Sequence, residues 1–275
     1  MNGRKRAGTT RIGRASASLA LIWCCRVTAF AQALDPHAVK PERPTVATHA
    51  GTVAPGWIEI EWGAEWDRYA DHTRGVGVPV VAKIGLGSRT QLSVLQTAVR
   101  PPGSGSVHAG DVAIGVKWRL ADQAPALGRF ALLPSVKFPT GSAVFGSGTG
   151  TTDAGLLFIS SHDIGPVAID LNAGYTRRSG DGQTAPRNAT VWTASFGGPA
   201  RGAAGWVAEL YGLPRTSAPA GQDSVIAVLL GPTLTVRAWL ALDGGVIVPV
   251  TGPQPHAVYF GGVWNIGRMW KANQR

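Results

Sequence analysis

The chain has 275 residues, 44% of them hydrophobic and 15% charged, with 37 glycines, two cysteines and a formal net charge of +10. Six of the 26 Lys and Arg precede residue 34, while none of the 16 Asp and Glu do, so the remainder carries only +4 and its basicity is no argument for nucleic acid. Cys24 and Cys25 fall in the same leading stretch, which excludes a disulfide or a thiolate metal site from everything after it.

Arg4, Lys5, Arg6, Arg11 and Arg14 form a basic n-region, residues 15–25 an apolar h-region, and Ala31-Gln32-Ala33 a small-residue cleavage site, with Ala29-Phe30-Ala31 as a second. Residues 1–33 therefore read as a secretory signal peptide. Arg26 interrupts the apolar run, which is shorter than the ~20 residues a membrane helix needs. A lipoprotein signal is a poor fit, because bulky Trp23 sits beside Cys24. Residues 34–55 show no alternation and read as a periplasmic N-terminal segment.

From 57 to 66, Ile58, Ile60, Trp62, Ala64 and Trp66 share one face of a strand, and Glu59, Glu61, Gly63 and Glu65 the other. The same two-residue period organises 77–86, with Val78, Val80, Ala82, Ile84 and Leu86 opposite Lys83, and weakly 91–99. It is sharpest at 112–120, where Val112, Ile114, Val116, Trp118 and Leu120 oppose Ala113, Gly115, Lys117 and Arg119. Further copies follow at 130–138, 154–160, 167–175, 190–196, 205–211, 224–233, 240–250 and 257–266, twelve candidates in all. In the clearest segments no charge lands on the oily face.

The connections alternate in length. Polar Gly/Pro/Ser-rich stretches (67–76, 100–110, 139–153, 177–189, 213–223, 251–256) follow the odd strands, and brief turns at 87–89, 162–165, 199–202 and 237–239 follow the even ones. Residues 121–128 are the exception, longer than the tight turn that their place demands. Outer-membrane barrels combine an even strand number, short periplasmic turns and long external loops. No helix-length apolar run follows residue 33, and a bilayer then admits only a closed sheet, since an open edge strands backbone N–H and C=O groups in lipid. The fold class is an all-β transmembrane antiparallel β-barrel of about 12 strands over residues 56–270, in the cell outer membrane, followed by a polar tail at 271–275. Trp57, Trp66, Trp118, Trp239 and Trp270 lie at strand ends, where indole rings form interfacial girdles.

The polar parity puts Glu59, Glu61, Glu65, Asp111, Asp170, Glu209 and Asp243 in the lumen with Lys83, Lys117, Arg119 and Lys137. Such charges either line a selective passage or neutralise one another in a salt-bridged plug, and both readings require the same residues. Catalysis finds little support. The six histidines fall in linkers, loops or turns, without a second ligand at metal spacing, so no metal or cofactor is expected. A barrel phospholipase needs serine beside histidine on the lipid-facing wall near the outer rim. The only close grouping, Ser160-Ser161-His162, lies at the short-turn end, with Ser161 and His162 on opposite faces. Gly146-Ser147-Gly148-Thr149-Gly150 has no following Lys-Ser/Thr and reads as a loop.

Several runs together carry a family resemblance: Glu42-Arg43-Pro44-Thr45, Val53-Ala54-Pro55-Gly56-Trp57-Ile58-Glu59-Ile60-Glu61, Gly110-Asp111-Val112-Ala113-Ile114-Gly115-Val116-Lys117, Lys137-Phe138-Pro139-Thr140-Gly141-Ser142 and Leu242-Asp243-Gly244-Gly245-Val246. In this order they resemble the outer-membrane "transporter" family of the MetA pathway of phenol degradation. The resemblance spans residues 42–266 and implies an outer-membrane barrel passing small solutes, aromatic or hydrophobic ones among them. The chain departs from the usual outer-membrane ending, since Lys271-Ala272-Asn273-Gln274-Arg275 trails past Trp270. The expected partners are outer-membrane lipid and lipopolysaccharide, the barrel assembly machinery and a small-molecule solute, with no nucleic acid. The alternatives are a non-conducting structural or membrane-interaction barrel and, third, a phospholipase-like enzyme.

Overall fold

The computed structural model describes residues 35–217 and 219–271. The expected signal peptide at 1–33, both cysteines and residues 272–275 of the tail lie outside the described residues. Twelve strands follow one another in chain order: β1 (Trp57–Arg68), β2 (Arg74–Gly87), β3 (Thr90–Arg100), β4 (His108–Ala124), β5 (Gly128–Phe138), β6 (Asp153–Ile164), β7 (Val167–Arg178), β8 (Asn188–Arg201), β9 (Ala204–Leu213), β10 (Val225–Arg237), β11 (Leu240–Thr251) and β12 (His256–Arg268). Each pairs antiparallel with its neighbours, and β1 closes on β12 from Trp57↔Arg268 to Arg68↔His256, so the sheet has no free edge. Among the described residues there is no helix.

All twelve alternating segments are strands, and most run beyond the apolar stretch that announces them. The ladder continues past the lipid because backbone pairing does not depend on which side chains are oily. This removes the exception at 121–128: β4 extends to Ala124, and only Pro125, Ala126 and Leu127 remain as a turn, with Ala126 at φ 60°. It also revises three histidines assigned to loops and turns, since His108 and His256 are the first residues of β4 and β12 and His162 lies within β6, two residues before its end.

The oily parity faces outward. Ile114, Phe260 and Trp264 are 39%, 46% and 48% exposed, values that a water-soluble sheet would not hold over a whole surface. Of the tryptophans expected in a girdle, Trp66, Trp118, Trp239 and Trp270 are exposed, Trp66 near the end of β1, Trp118 six residues before the end of β4, and Trp239 and Trp270 just past the ends of β10 and β12. Trp57 departs from the girdle. It shares the odd, inward parity of Glu59 and Glu61, and its ring packs against His37 at 4.9 Å and beneath the guanidinium of Arg268 at 5.9 Å.

The packed interior is inside the cylinder. On β9–β12, Tyr211, Leu229, Ile247 and Tyr259 are the large members of one buried apolar cluster. Across the lumen, Ala131 on β5 and Ile159 on β6 form a smaller one, with Leu133 and Leu157 packed against it. The remaining buried member of that second cluster is Ala50, which belongs to no strand.

Candidate functional site

Residues 35–55, expected in the periplasm, lie in the lumen of the short-turn half of the barrel. An extended chain without a sheet partner must still satisfy its backbone N–H groups. Here side chains of the inner wall do so. Glu59 accepts from the backbone N–H of Lys40 (2.8 Å), Glu61 from Glu42 (2.7 Å), and the two oxygens of Glu209 from Val46 (2.8 Å) and Ala47 (2.7 Å). Asn172 works in both directions, its Oδ1 accepting from Thr48 N–H at 2.7 Å and its Nδ2 donating to Thr48 O at 3.0 Å. Ser161 Oγ accepts from Ala50 N–H at 2.8 Å, and Gln91 Oε1 from Val53 N–H at 2.9 Å. These partners sit on β1, β9, β7, β6 and β3, so the segment makes a circuit of the inner wall. It returns to the short-turn end through a parallel bridge, Pro55↔Gly85.

Glycines make room for it. Gly63 and Gly261 are register partners on β1 and β12, and a Cβ on either would lie 2.4 and 2.6 Å from the Arg43 guanidinium, which passes between them to reach Asp243 Oδ1 at 3.1 Å. A Cβ on Gly85 would meet Ala54 O at 2.1 Å.

At the centre of the anchorage two lysines and three carboxylates are drawn together. The Lys83 ammonium lies between Glu59 and Glu61, with Glu42 at 3.9 Å. The Lys117 ammonium binds Glu42 and also donates to Thr48 Oγ1 (3.1 Å), His49 O (2.8 Å) and Gly51 O (3.2 Å). Both lysine side chains are 0% exposed. Buried charges persist only with such pairing, and removing one partner leaves the other uncompensated. On the segment itself, burial acts to raise the Glu42 carboxyl, but the charges of Lys117 and Lys83 outweigh it and hold Glu42 well below the usual carboxylate range. Burial and the neighbouring Lys117 push His49 down to about 3, so its imidazole is neutral at pH 7.

The residues assigned to the lumen from sequence thus separate into groups. Glu59, Glu61, Lys83, Lys117, Glu209 and Asp243 hold the segment. Asp170 supports it indirectly by accepting from Ser161 Oγ. Asp111 and Lys137 lie at the long-loop end, where Asp111 accepts from the backbone N–H of Gly141 (2.9 Å) and Thr149 (3.0 Å), and Lys137 pairs with Asp111, fixing the loop between β5 and β6 to the wall. Glu65 is four residues further up β1 from Glu61, in register with Tyr259, outside the anchorage. Arg119 sits at the short-turn rim, donating to Ser88 O at 2.8 Å and pairing with Asp122 at 3.1 Å. Gln91, Ser161 and Asn172 also hold the segment and, being uncharged, do not stand out in the sequence. Their signal was polar character at inward parity, facing a segment rich in unpaired backbone.

Two spaces flank the segment. One, of about 800 Å³, opens at the short-turn end between Arg43, Pro44 and Thr45 and the inner faces of Asp170, Ser195 and Val207. The other, of about 540 Å³, lies among the long loops and is lined by Tyr69, Arg178, Leu213, Gln222 and Pro253. Away from the lumen, Ser160 and His162 share the outward face of β6, with Oγ and Nε2 2.9 Å apart. The Ser160 proton goes to Leu127 O (2.8 Å), so His162 donates to the serine rather than acting as its base.

No family model matches the chain, and no curated protein matches it. Among solved structures it is similar to the COG4313 outer membrane channel from Pseudomonas putida F1, at 10% identity over 83% of this chain and 100% of that one, with a TM-score of 0.61. It is also similar to the KdgM porin, at 9% identity over 75% and 98% of the two chains, with a TM-score of 0.50. At these identities the likeness is one of fold. The chain is a closed twelve-stranded antiparallel β-barrel of the outer-membrane type, and both of these structural neighbours are a channel or a porin rather than an enzyme.

Proposed function

We propose that this protein is an outer-membrane channel for passive uptake of small, weakly polar solutes, aromatic ones included, with residues 35–55 as its internal restriction. Long loops face outward and short turns face the periplasm in this reading, with export directed by residues 1–33. The observation that carries it is the division of labour inside the barrel. The buried charges of the short-turn half are committed to one another and to the segment, so they offer no open charged ring to a hydrated ion. Beyond them the wall carries two apolar patches, Leu133 and Leu157 on one side and Tyr211, Leu229 and Tyr259 on the other, with Glu65 level with Tyr259 and the charges of Asp111 and Lys137 paired with each other. Apolar side chains favour a solute that sheds its water cheaply and disfavour an ion or sugar. The resemblance to the MetA-pathway family points the same way. The selective passage lined by charged rings is correspondingly set aside.

The test is influx into vesicles whose lipopolysaccharide-containing leaflet itself resists apolar solutes. Phenol-sized aromatics should enter protein-containing vesicles faster than a sugar of comparable size. Influx of both at the rate of protein-free vesicles, from barrels shown to be folded, would favour the structural alternative. Phospholipid hydrolysis that disappears in Ser160→Ala would favour the enzyme.

A further inference from the structure

At the long-loop rim the barrel sorts its charges by face. Asp67, Asp111 and Asp153 occupy inward parity, and Asp111 and Asp153 are bound to Lys137 and Arg178. Arg68, Arg74, Arg100 and His256 occupy outward parity, continuous with Trp66, Val76, Val78 and Val258 on the oily faces of their strands. They are also neighbours. Arg68 is in direct register with Arg74 on β2 and with His256 on β12, and Arg100 is in register with Val76, two residues along from Arg74. With strands about 4.8 Å apart, three guanidiniums and an imidazole form a patch across β12, β1, β2 and β3.

Like charges placed directly opposite on a sheet repel. Among the described residues no carboxylate relieves this pair: Arg68, Arg74 and Arg100 form no ion pair there. The nearby loop carboxylate of Asp71 is turned to Thr73, accepting from its N–H and hydroxyl at 3.0 and 2.6 Å. At the opposite rim, by contrast, Arg89 and Arg119 share Asp122, and Arg129 is paired with Asp163 at 2.7 Å.

We infer that this patch binds the phosphate groups of a phosphorylated glycolipid of the outer leaflet, the lipid A part of lipopolysaccharide, with its acyl chains lying along the oily faces below. Guanidinium groups recognise phosphate through paired, charge-assisted hydrogen bonds, and a phosphate between Arg68 and Arg74 turns their repulsion into attraction. The location excludes a soluble anion as the natural occupant, because the patch sits on the lipid side of the wall at headgroup level, above Trp66 and not inside the mouth. The inference rests on the outer-membrane orientation but is independent of conduction, so a barrel that transports nothing can still bind.

The test uses the full barrel in detergent and native mass spectrometry, which counts bound lipid. Bisphosphorylated lipid A should bind at least about tenfold more tightly than its dephosphorylated form, and Arg68→Gln/Arg74→Gln/Arg100→Gln should abolish that preference while Arg237→Gln at the other rim preserves it. Inorganic phosphate at millimolar concentration should not displace the lipid. Equal binding of the two lipid A forms by the unaltered protein overturns the inference, whether or not the triple variant folds. So does displacement by free phosphate, or an undiminished preference in the folded variant.

Discussion

Lys117→Met tests whether residues 35–55 are held in the lumen by the buried charges. The substitution keeps the length of the side chain and removes the ammonium, which has four partners: the Glu42 carboxylate, Thr48 Oγ1, His49 O and Gly51 O. Breaking a buried pair costs about 3 to 5 kcal/mol when the partner is left uncompensated. Glu42 keeps Lys83 at 3.9 Å and the Gln91 amide at 2.8 Å, so the lower end applies, about 3 kcal/mol. That raises the open fraction of the segment roughly 100-fold, since each 1.36 kcal/mol is a factor of ten. The β ladder is untouched and the barrel should remain folded. The assay is thiol labelling of Ala47→Cys, at a position 2% exposed, with Cys24 and Cys25 replaced by Ala where they are retained. Under fast exchange the labelling rate reports the open population. The control is Arg89→Met, which removes a pair whose side chains are 49% and 47% exposed, a change worth at most about 1 kcal/mol. A labelling rate in Lys117→Met no higher than in the control would refute the reasoning.

Parity predicts that Ile114→Arg, on the oily face, lowers barrel stability by about 2 to 4 kcal/mol near the midplane, while Ala113→Ser is mild; heat-modifiable gel migration and denaturant unfolding check this. Topology predicts that a label added to intact cells reaches residues 142–146 and not Trp239, and the reverse pattern would invert the orientation. His49, held neutral in the lumen with a pKa near 3, binds a proton more readily once the segment is released. Release is therefore favoured as pH falls from about 6.5 toward 3, by up to about tenfold per pH unit, and is independent of this group above that window. In the Ala47→Cys labelling assay, the acid-dependent increase should be smaller for His49→Gln than for the unaltered histidine; identical pH profiles would contradict the assignment.

The barrel was legible because a membrane strand writes its environment twice, in the two-residue period of Val112, Ile114, Val116 and Trp118 and in the alternation of long and short connections. Strand ends were less legible. Beyond the lipid nothing forces an apolar face, so β4 ran on to Ala124 without a hydrophobic signal. Glu59, Glu61, Lys83, Lys117, Glu209 and Asp243 stand out in the sequence as charges on the polar parity, but what they bind does not. The three glutamates accept from backbone N–H groups of residues 40–47 and the two lysines donate in part to backbone carbonyls of residues 40–51, neither of which a side-chain pattern reveals, and the contacts of Glu209 and Asn172 span 162 and 124 residues of sequence. One trace was present. Gly63 interrupts an inward face that otherwise carries Glu59, Glu61 and Glu65, and Gly85 follows Lys83 on the inward face of β2; the structure shows Arg43 and Ala54 in these notches.

The most direct test of the internal restriction removes it. Deleting residues 36–53 takes away the Lys117 partners Glu42, Thr48, His49 and Gly51 and leaves the strand ladder whole. Swelling of proteoliposomes in a small sugar should then be rapid with the deleted barrel and slow with the complete one. Equal swelling rates, from barrels that migrate as folded, would contradict the account.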